Sequence, residues 1–246
     1  MLTWFSLLVL IPLAAVVVAA TADGWAGFVE TLQNPQTRHA LQLTVSTALL
    51  VTAINVVMGT VIAWVLVRDR FWGRRLLSLV IDVPFALPTI VAGLVLIALY
   101  GSNSPIGITL AQTRWSIFVA LLFVTLPFVV RAVQPVLDEI GLEQEQAGRS
   151  LGASAWQRLW RLTLPSVRWA LAYGVVLSLA RALGEFGAVR VVAGNVLGST
   201  QTMPLLAAQR YNDLDENGAF AISFVMVAIA IFCIIVVALL RPSDER

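Results

Sequence analysis

Six long apolar segments, each close to the length of a membrane-spanning helix, divide the chain. They cover residues 2–21, 41–67, 76–100, 115–136, 167–191 and 218–240. An α-helix rises about 1.5 Å per residue, so about 20 apolar residues cross a hydrocarbon layer about 30 Å thick. Barrel strands would alternate apolar and polar residues with period two, and these segments do not. The pattern predicts an all-α integral membrane protein with about six transmembrane helices, folded as a single domain over residues 1–246.

The first segment has the length of a secretory signal sequence. No basic residue precedes its apolar part, and no persuasive cleavage site follows it. We therefore expect an uncleaved membrane span rather than a signal peptide that is removed.

Composition supports a membrane protein and narrows its chemistry. The chain is 59% hydrophobic and only 12% charged, whereas soluble domains carry about 25% charged residues. All sixteen basic residues are arginines, so the lysine that a phosphate-binding P-loop requires is missing. The single Cys233 and single His39 build neither a disulfide framework nor a metal site. We expect no cofactor on this chain and no enzymatic activity of its own.

The arginines are distributed unevenly among the links between the segments. Residues 68–75 hold four, residues 131–168 hold five, and the tail adds Arg241 and Arg246. The links that would lie on the opposite side of the membrane contribute only Arg38, Arg114 and Arg210. Because cytoplasmic loops of membrane proteins are enriched in Arg and Lys, both termini and the two Arg-rich links are predicted to be cytoplasmic.

The longest cytoplasmic link, residues 137–166, carries signals for two short helices. Residues 143–151 begin with acidic side chains, which favour a helix N-terminus, and Gly152 supplies the backbone freedom that ends a helix. Ser154 is placed to cap a second helix over residues 155–162, which we expect to close before Pro165. We call these two helices and their glycine turn the knob. These residues alone are equally compatible with two interpretations of the knob, a surface loop with local helix and a docking element.

The knob sequence resembles the cytoplasmic loop of ABC importer permeases. That family pattern is Glu-Ala-Ala, three residues, Gly, nine residues, an aliphatic residue, any residue and Leu-Pro. The residues that carry the likeness are Gln146, Ala147, Gly148, Gly152, Leu162, Leu164 and Pro165. The chain departs from the pattern at Gln146, where the family has Glu, and at Gly148, where it has Ala. The neighbouring Glu145 is the candidate that substitutes for the missing Glu.

The resemblance implies a type I ABC importer permease fold whose knob is the coupling helix. It also implies the partners: a cytoplasmic ABC ATPase dimer that holds ATP and Mg, a second identical or homologous permease, and an extracytoplasmic solute-binding protein. The protein would then lie in the bacterial inner membrane as a multi-pass subunit, with no nucleic acid among its partners.

Three further stretches resemble permeases for oxyanions. Residues 82–89 and 124–137 are similar to sulfate/thiosulfate permeases, and residues 181–189 to a motif shared with molybdate and tungstate permeases. The first half of the chain looks more like the T-type sulfate permease subunit, and the part from Arg168 onward more like the W type. A molybdate or tungstate permease is the nearest alternative function, and an ion-coupled secondary transporter is an alternative of another class.

Two charges fall inside the fifth apolar segment. Its midpoint is near residue 179, so Arg181 is expected close to the bilayer centre, where a charge persists only if it is paired or faces a polar cavity. Glu185 would follow one helical turn later on the same face, and Gly184 and Gly187 would allow close helix approach. Two interpretations stay open: an ion pair that braces the bundle, or a face that lines the translocation path or its gate.

Other polar positions have simpler explanations. Asp82 is expected to cap a helical segment that starts at Pro84, and Pro84, Pro88 and Pro127 are expected to kink their helices. The polar residues 193–217 either form an outer gate or receptor contact, or are ordinary loop.

Overall fold

The computed structural model describes residues 4 and 6–240 of the chain, and every regular element in that part is helical. A π-helical turn at Ser6–Leu10 precedes the first α-helix, and a second π-helical turn covers Leu159–Thr163. The α-helices are α1 (Ile11–Ala20), α2 (Gly24–Gln33), α3 (Pro35–Arg68), α4 (Arg74–Ala86), α5 (Thr89–Tyr100), α6 (Arg114–Ile140), α7 (Glu143–Ser150), α8 (Ala155–Arg158), α9 (Leu164–Leu183), α10 (Gly187–Ala193), α11 (Met203–Asn212) and α12 (Glu216–Leu240). The all-α prediction is confirmed.

Four helical runs are long and apolar enough to cross a membrane without a break. They are α3, α6, the run Ala155–Leu183 and Glu216–Val236 within α12. Helix α3 begins six residues before the predicted segment 41–67, because Pro35 at its start needs no hydrogen-bonded N–H. Helix α6 continues four residues past the predicted end of segment 115–136.

The segments 2–21 and 76–100 belong to bent helix pairs rather than straight spans. Ser6–Ala20 and Gly24–Gln33 meet at 86°, and Arg74–Ala86 and Thr89–Tyr100 at 118°. The second break lies at Leu87–Pro88, since proline disfavours helical backbone in the residue before it. Counting each bent pair as one span gives up to six spans. Residues 2, 3 and 5 of the first segment, and Arg241 and Arg246 in the tail, lie outside the described residues.

The chain divides into two compact units, each assembled from separate segments. Among the described residues, the first contains residues 4, 6–48, 89–120 and 183–232. One of its core clusters joins α3, α11 and α12 through Ala40, Met203, Leu206 and Ile222. Residues 193–217, which the sequence leaves without regular structure, contain α11. Thr44 Oγ1 accepts the N–H of Met203 at 2.8 Å and so fixes the start of that helix on α3.

The second unit contains residues 49–88, 121–182 and, among the described residues, 233–240. Its core joins α3, α4, α6 and α9 through Ala63, Leu66, Ile81, Val129, Val130, Val133, Leu137 and Val167. Gly59 allows α3 to approach α6 closely, because a Cβ there would lie only 2.8 Å from the side chain of Val129. Within the same unit, Leu76, Leu79 and Val80 on α4 are exposed, as expected of side chains that face lipid or another subunit.

Candidate functional site

The knob folds as two short helices around a left-handed glycine. Helix α7 ends at Ser150, and Gly152 has a φ of +80°. The N–H of Ala153 then bonds back to the carbonyl of Gly148 at 2.9 Å, which closes the turn. Ser154 begins α8 with a complete capping box: its Oγ accepts the N–H of Gln157 at 3.2 Å, and Gln157 Oε1 accepts the N–H of Ser154 at 2.8 Å. The helix-turn-helix arrangement that the sequence predicts is present.

The predicted closure before Pro165 is wrong. Helix α8 continues through the π-turn Leu159–Thr163 into α9, so Pro165 lies in the first turn of a long helix. The first turn of a helix tolerates proline, which cannot donate an i→i−4 bond, and a π-turn relaxes the bonding pattern just before it. The second helix of the knob is therefore continuous in sequence and structure with the candidate membrane-spanning run Ala155–Leu183.

The knob residues that carry the family likeness divide between an exposed and a packed set. Gln146, Ala147, Gly152 and Pro165 are exposed, whereas Gly148, Leu162 and Leu164 are half-buried. Helix α7 packs on the π-turn at Gly148, where a Cβ would lie 3.0 Å from Leu162 Cδ1. A glycine in place of the family's alanine therefore allows a closer approach of the two helices.

Three large apolar side chains project from the knob into solvent. Leu151 is 89% exposed, and Trp156 and Trp160 are exposed with their rings in edge-to-face contact, 5.3 Å between centroids. Aromatic residues at this density on an exposed surface are typical of interface centres, because they bury much area at little entropic cost. The sequence signature does not include these side chains, although their helical spacing of four places both tryptophans on one face of the run.

A half-buried carboxylate anchors the knob to the end of a spanning helix. Glu145 Oε1 accepts from Arg68 Nε at 3.2 Å and from Thr163 Oγ1 at 3.1 Å. In the sequence, Arg68 contributes only to the prediction of membrane orientation. Its contact with a residue 77 positions later has no local sequence signal.

The predicted pair in the fifth segment lies at a helix break. Helix α9 ends at Leu183 and α10 begins at Gly187, so the expectation that Glu185 follows Arg181 by one turn of a continuous helix is wrong. Gly184 at this break is exposed, and Arg181 is half-buried. Glu185, only 2% exposed, accepts the N–H of Ala188 through Oε1 at 2.8 Å and thus caps α10.

Gly187 supports close helix approach as expected. It is buried against the start of α5, and a Cβ at this position would overlap the hydroxyl of Thr89. Whether this region lines a path or braces the bundle stays a prediction.

Asp82 does not cap a helix, contrary to the expectation. It lies inside α4, which runs through Pro84, and forms a two-pronged ion pair with Arg131 of α6. Arg131 also donates to Gln134 Oε1 at 2.6 Å and to Ser78 Oγ at 2.9 Å. Arg131 therefore lies within α6, a candidate membrane-spanning helix, rather than in the second cytoplasmic link.

The described part of the chain contains no candidate metal site. Among residues 4 and 6–240, no group of three or more His, Cys, Asp or Glu side chains is placed to hold a metal ion. The features that remain are the exposed apolar side chains of the knob, the contact of Glu145 with Arg68, and paired charges within helices.

Comparison with known proteins places these features in a family context. The family described as "Binding-protein-dependent transport system inner membrane component" matches residues 55–244. The sulfate transport system permease protein CysW of Synechocystis sp. is 43% identical over 98% of this chain and 90% of its own length. The sulfate transport system permease protein CysT of Escherichia coli K12 is 40% identical over 100% of this chain and 91% of its own length.

Solved structures share the fold at low sequence identity. A chain of a bacterial alginate ABC transporter, in complex with an alginate-bound periplasmic protein, superposes with a TM-score of 0.80 at 16% identity. The match covers 96% of this chain and 89% of that chain. A chain of the MetNI methionine ABC transporter gives 0.66 at 17% identity, covering 82% and 92%. The expected importer-permease fold class is confirmed.

Proposed function

The chain belongs to the family of binding-protein-dependent transport system inner membrane components, and from this premise we propose that it carries sulfate or thiosulfate into a bacterial cytoplasm as the permease of an ATP-driven importer. The observation that carries the substrate class is the likeness to sulfate permeases along nearly the whole chain. Because two permease types match at similar identity, we propose that the working pore contains a second homologous permease.

ATP hydrolysis belongs to a separate subunit in this proposal. The family is one of transport components, and the chain lacks the lysine of a P-loop. ATP and Mg would therefore bind to a cytoplasmic ATPase dimer, which receives the knob. Leu151, Trp156 and Trp160 supply an apolar anchor of the kind that fills a groove, and Ser154 and Gly152 hold them in a fixed turn.

The route of the anion is proposed to pass the helix break between α9 and α10. Discontinuous helices are typical of transporter sites near the membrane midplane, and Arg181 lies in the last turn of the helix that precedes this break. A guanidinium suits an oxyanion, since its planar fork of donors matches two oxygens. Glu185 nearby in sequence keeps such a contact weak, which transport requires. A solute-binding protein would deliver the anion from outside, with both termini and the knob cytoplasmic.

The test of substrate class is ATP hydrolysis by the assembled complex in lipid nanodiscs. Solute-binding protein loaded with sulfate or thiosulfate should raise hydrolysis several-fold over the unloaded protein. Stimulation by molybdate or tungstate alone would reassign the substrate. Oxyanion uptake without any ATPase, driven by an ion gradient, would reject the importer.

Docking of the knob has its own test, with a matched control. Trp156→Ala with Trp160→Ala should reduce the ATPase that co-purifies with the permease in detergent at least several-fold, because the exposed aromatic anchor is lost. Trp72→Ala removes an equally large side chain that is 98% exposed in another link, and should leave co-purification unchanged. Equal recovery of ATPase in both variants would remove the aromatic pair from the interface.

A further inference from the structure

The carboxylate of Glu145 connects three elements through one oxygen atom. Arg68 Nε and Nη2 lie 3.2 and 3.1 Å from Oε1, and Thr163 Oγ1 donates to the same atom at 3.1 Å. Arg68 is the last residue of α3, Glu145 lies in the first turn of α7, and Thr163 ends the π-turn. The cluster therefore joins a spanning helix, the first knob helix and the start of the run into α9.

This cluster is shielded from water although it lies at the end of a spanning helix. The side chain of Arg68 is only 7% exposed and that of Glu145 16% exposed, and Thr163 is buried. Salt and water therefore screen this pair less than they screen a pair on the surface.

Helix geometry explains why the carboxylate at 145, rather than the side chain at 146, makes this connection. Adjacent residues of an α-helix point about 100° apart, since 3.6 residues complete a turn. Glu145 faces inward to Arg68 and Thr163, and Gln146 is exposed on the outer side. The position that matches the family's Glu is thus uncharged and outward, and the charge that holds the knob in place is its neighbour.

We propose that Glu145 is a positioning residue which transmits knob movement to α3 through Arg68 and to α9 through Thr163. This inference rests on the proposed function, because it assigns the mechanical link between ATP hydrolysis and the membrane helices. The proposed docking face is formed by Leu151, Trp156 and Trp160, which are not part of the cluster around Glu145. Loss of the link is therefore expected to separate hydrolysis from transport while the ATPase stays bound.

The experiment measures sulfate imported per ATP hydrolysed by the complete transporter in proteoliposomes, normalised to assembled complex. Glu145→Gln and Arg68→Gln should each lower this ratio at least threefold, with ATPase co-purification within twofold of wild type. Glu143→Gln removes an exposed carboxylate from the same helix turn and should leave the ratio unchanged. Exchanging the charges, Arg68→Glu with Glu145→Arg, should restore more than half of it.

Each remaining outcome decides against the proposal. A wild-type ratio in both single variants shows that the cluster transmits nothing. Loss of the assembled complex in both single variants shows that the cluster only holds the fold together. The same conclusion follows if the exchanged pair restores assembly but does not restore the sulfate imported per ATP hydrolysed. Failure of the wild-type complex to couple hydrolysis to uptake would instead reject the proposed function, and is recorded before any variant is made.

Discussion

At the residue scale, the turn of the knob depends on one backbone conformation. Gly152 has a φ of +80°, and a Cβ built there meets no atom within 4 Å. Space is therefore available for a side chain, and any penalty for substitution comes from the left-handed backbone itself. That penalty is about 1–2 kcal/mol for most residues and smaller for asparagine.

Gly152→Val is accordingly expected to weaken the knob, and Gly152→Asn to preserve it. Both variants should insert into the membrane, but the valine variant should retain several-fold less ATPase on purification because its turn is strained. Co-purification in detergent measures the difference. Equal ATPase recovery for valine and asparagine would show that the turn does not require this conformation.

The ion pair of Asp82 and Arg131 is the other residue-scale feature with a measurable consequence. Asp82 lies eight residues into α4, and Arg131 lies nine residues before the end of α6, or about 12–13 Å along each helix. Their side chains are 43% and 30% exposed, so they face a partner, a polar cavity or lipid headgroups rather than hydrocarbon.

Removing one charge of this pair should be worse than removing both. Asp82→Leu and Arg131→Leu each leave one charge without its counterion, so we expect several-fold less folded protein from membranes. The double variant should recover most of it. Size-exclusion profiles of solubilised protein give the readout, and a double variant no better than the poorer single one would contradict the expectation.

At the element scale, sequence periodicity predicts straight spans well and broken ones poorly. Segments 41–67 and 218–240 lie within α3 and α12, because long apolar runs leave helix as the only structure that satisfies their backbone in lipid. The break after Leu183 has no such signal, since its residues Gly184, Glu185 and Phe186 also fit a continuous helix.

Contacts between distant elements are also beyond the reach of a local pattern. The knob turn could be predicted because a capping serine and a glycine act within a few residues. The pairs Arg68–Glu145 and Asp82–Arg131 depend on which helices pack together, and hydrophobic spacing does not determine that. For the same reason the local pattern at Asp82 predicts a capping role, whereas the folded chain pairs this residue with Arg131.

The break between α9 and α10 has a test that separates path from brace. Arg181→Leu with Glu185→Gln removes both charges, while the amide oxygen of Gln can still accept the N–H of Ala188 that Glu185 holds. If the charges line the path, this double variant should assemble with its ATPase and yet import sulfate at least tenfold more slowly. Uptake into proteoliposomes, normalised to assembled complex, measures the effect.

A matched control keeps this result interpretable. Arg190→Leu removes an exposed arginine from α10 and should leave uptake per complex unchanged. Near wild-type uptake in the double variant would support the interpretation that the two charges brace the bundle, and would reject a role in the translocation path.

At the scale of the whole molecule, orientation decides whether the knob can meet an ATPase at all. The arginines of residues 68–75 and of the knob link favour a cytoplasmic side for both, even with Arg131 assigned to α6. The contact between Arg68 and Glu145 independently requires these two links to lie on the same side.

Cysteine labelling in intact cells tests this orientation. After Cys233→Ala removes the only native thiol, Ser154→Cys should react with a membrane-impermeant maleimide only once the cells are opened. Rapid labelling from outside would invert the arrangement, and with it the assignment of the knob as the ATPase contact.

The central claim is that this chain forms part of an ATP-driven pore for sulfate or thiosulfate. Uptake of radiolabelled sulfate into proteoliposomes that contain the permease pair and its ATPase tests it most directly, with loaded binding protein on the external side and ATP inside. The account predicts accumulation that requires both ATP and the binding protein and that excess thiosulfate suppresses. Sulfate accumulation of the same extent without ATP, or none with every component present, would contradict it.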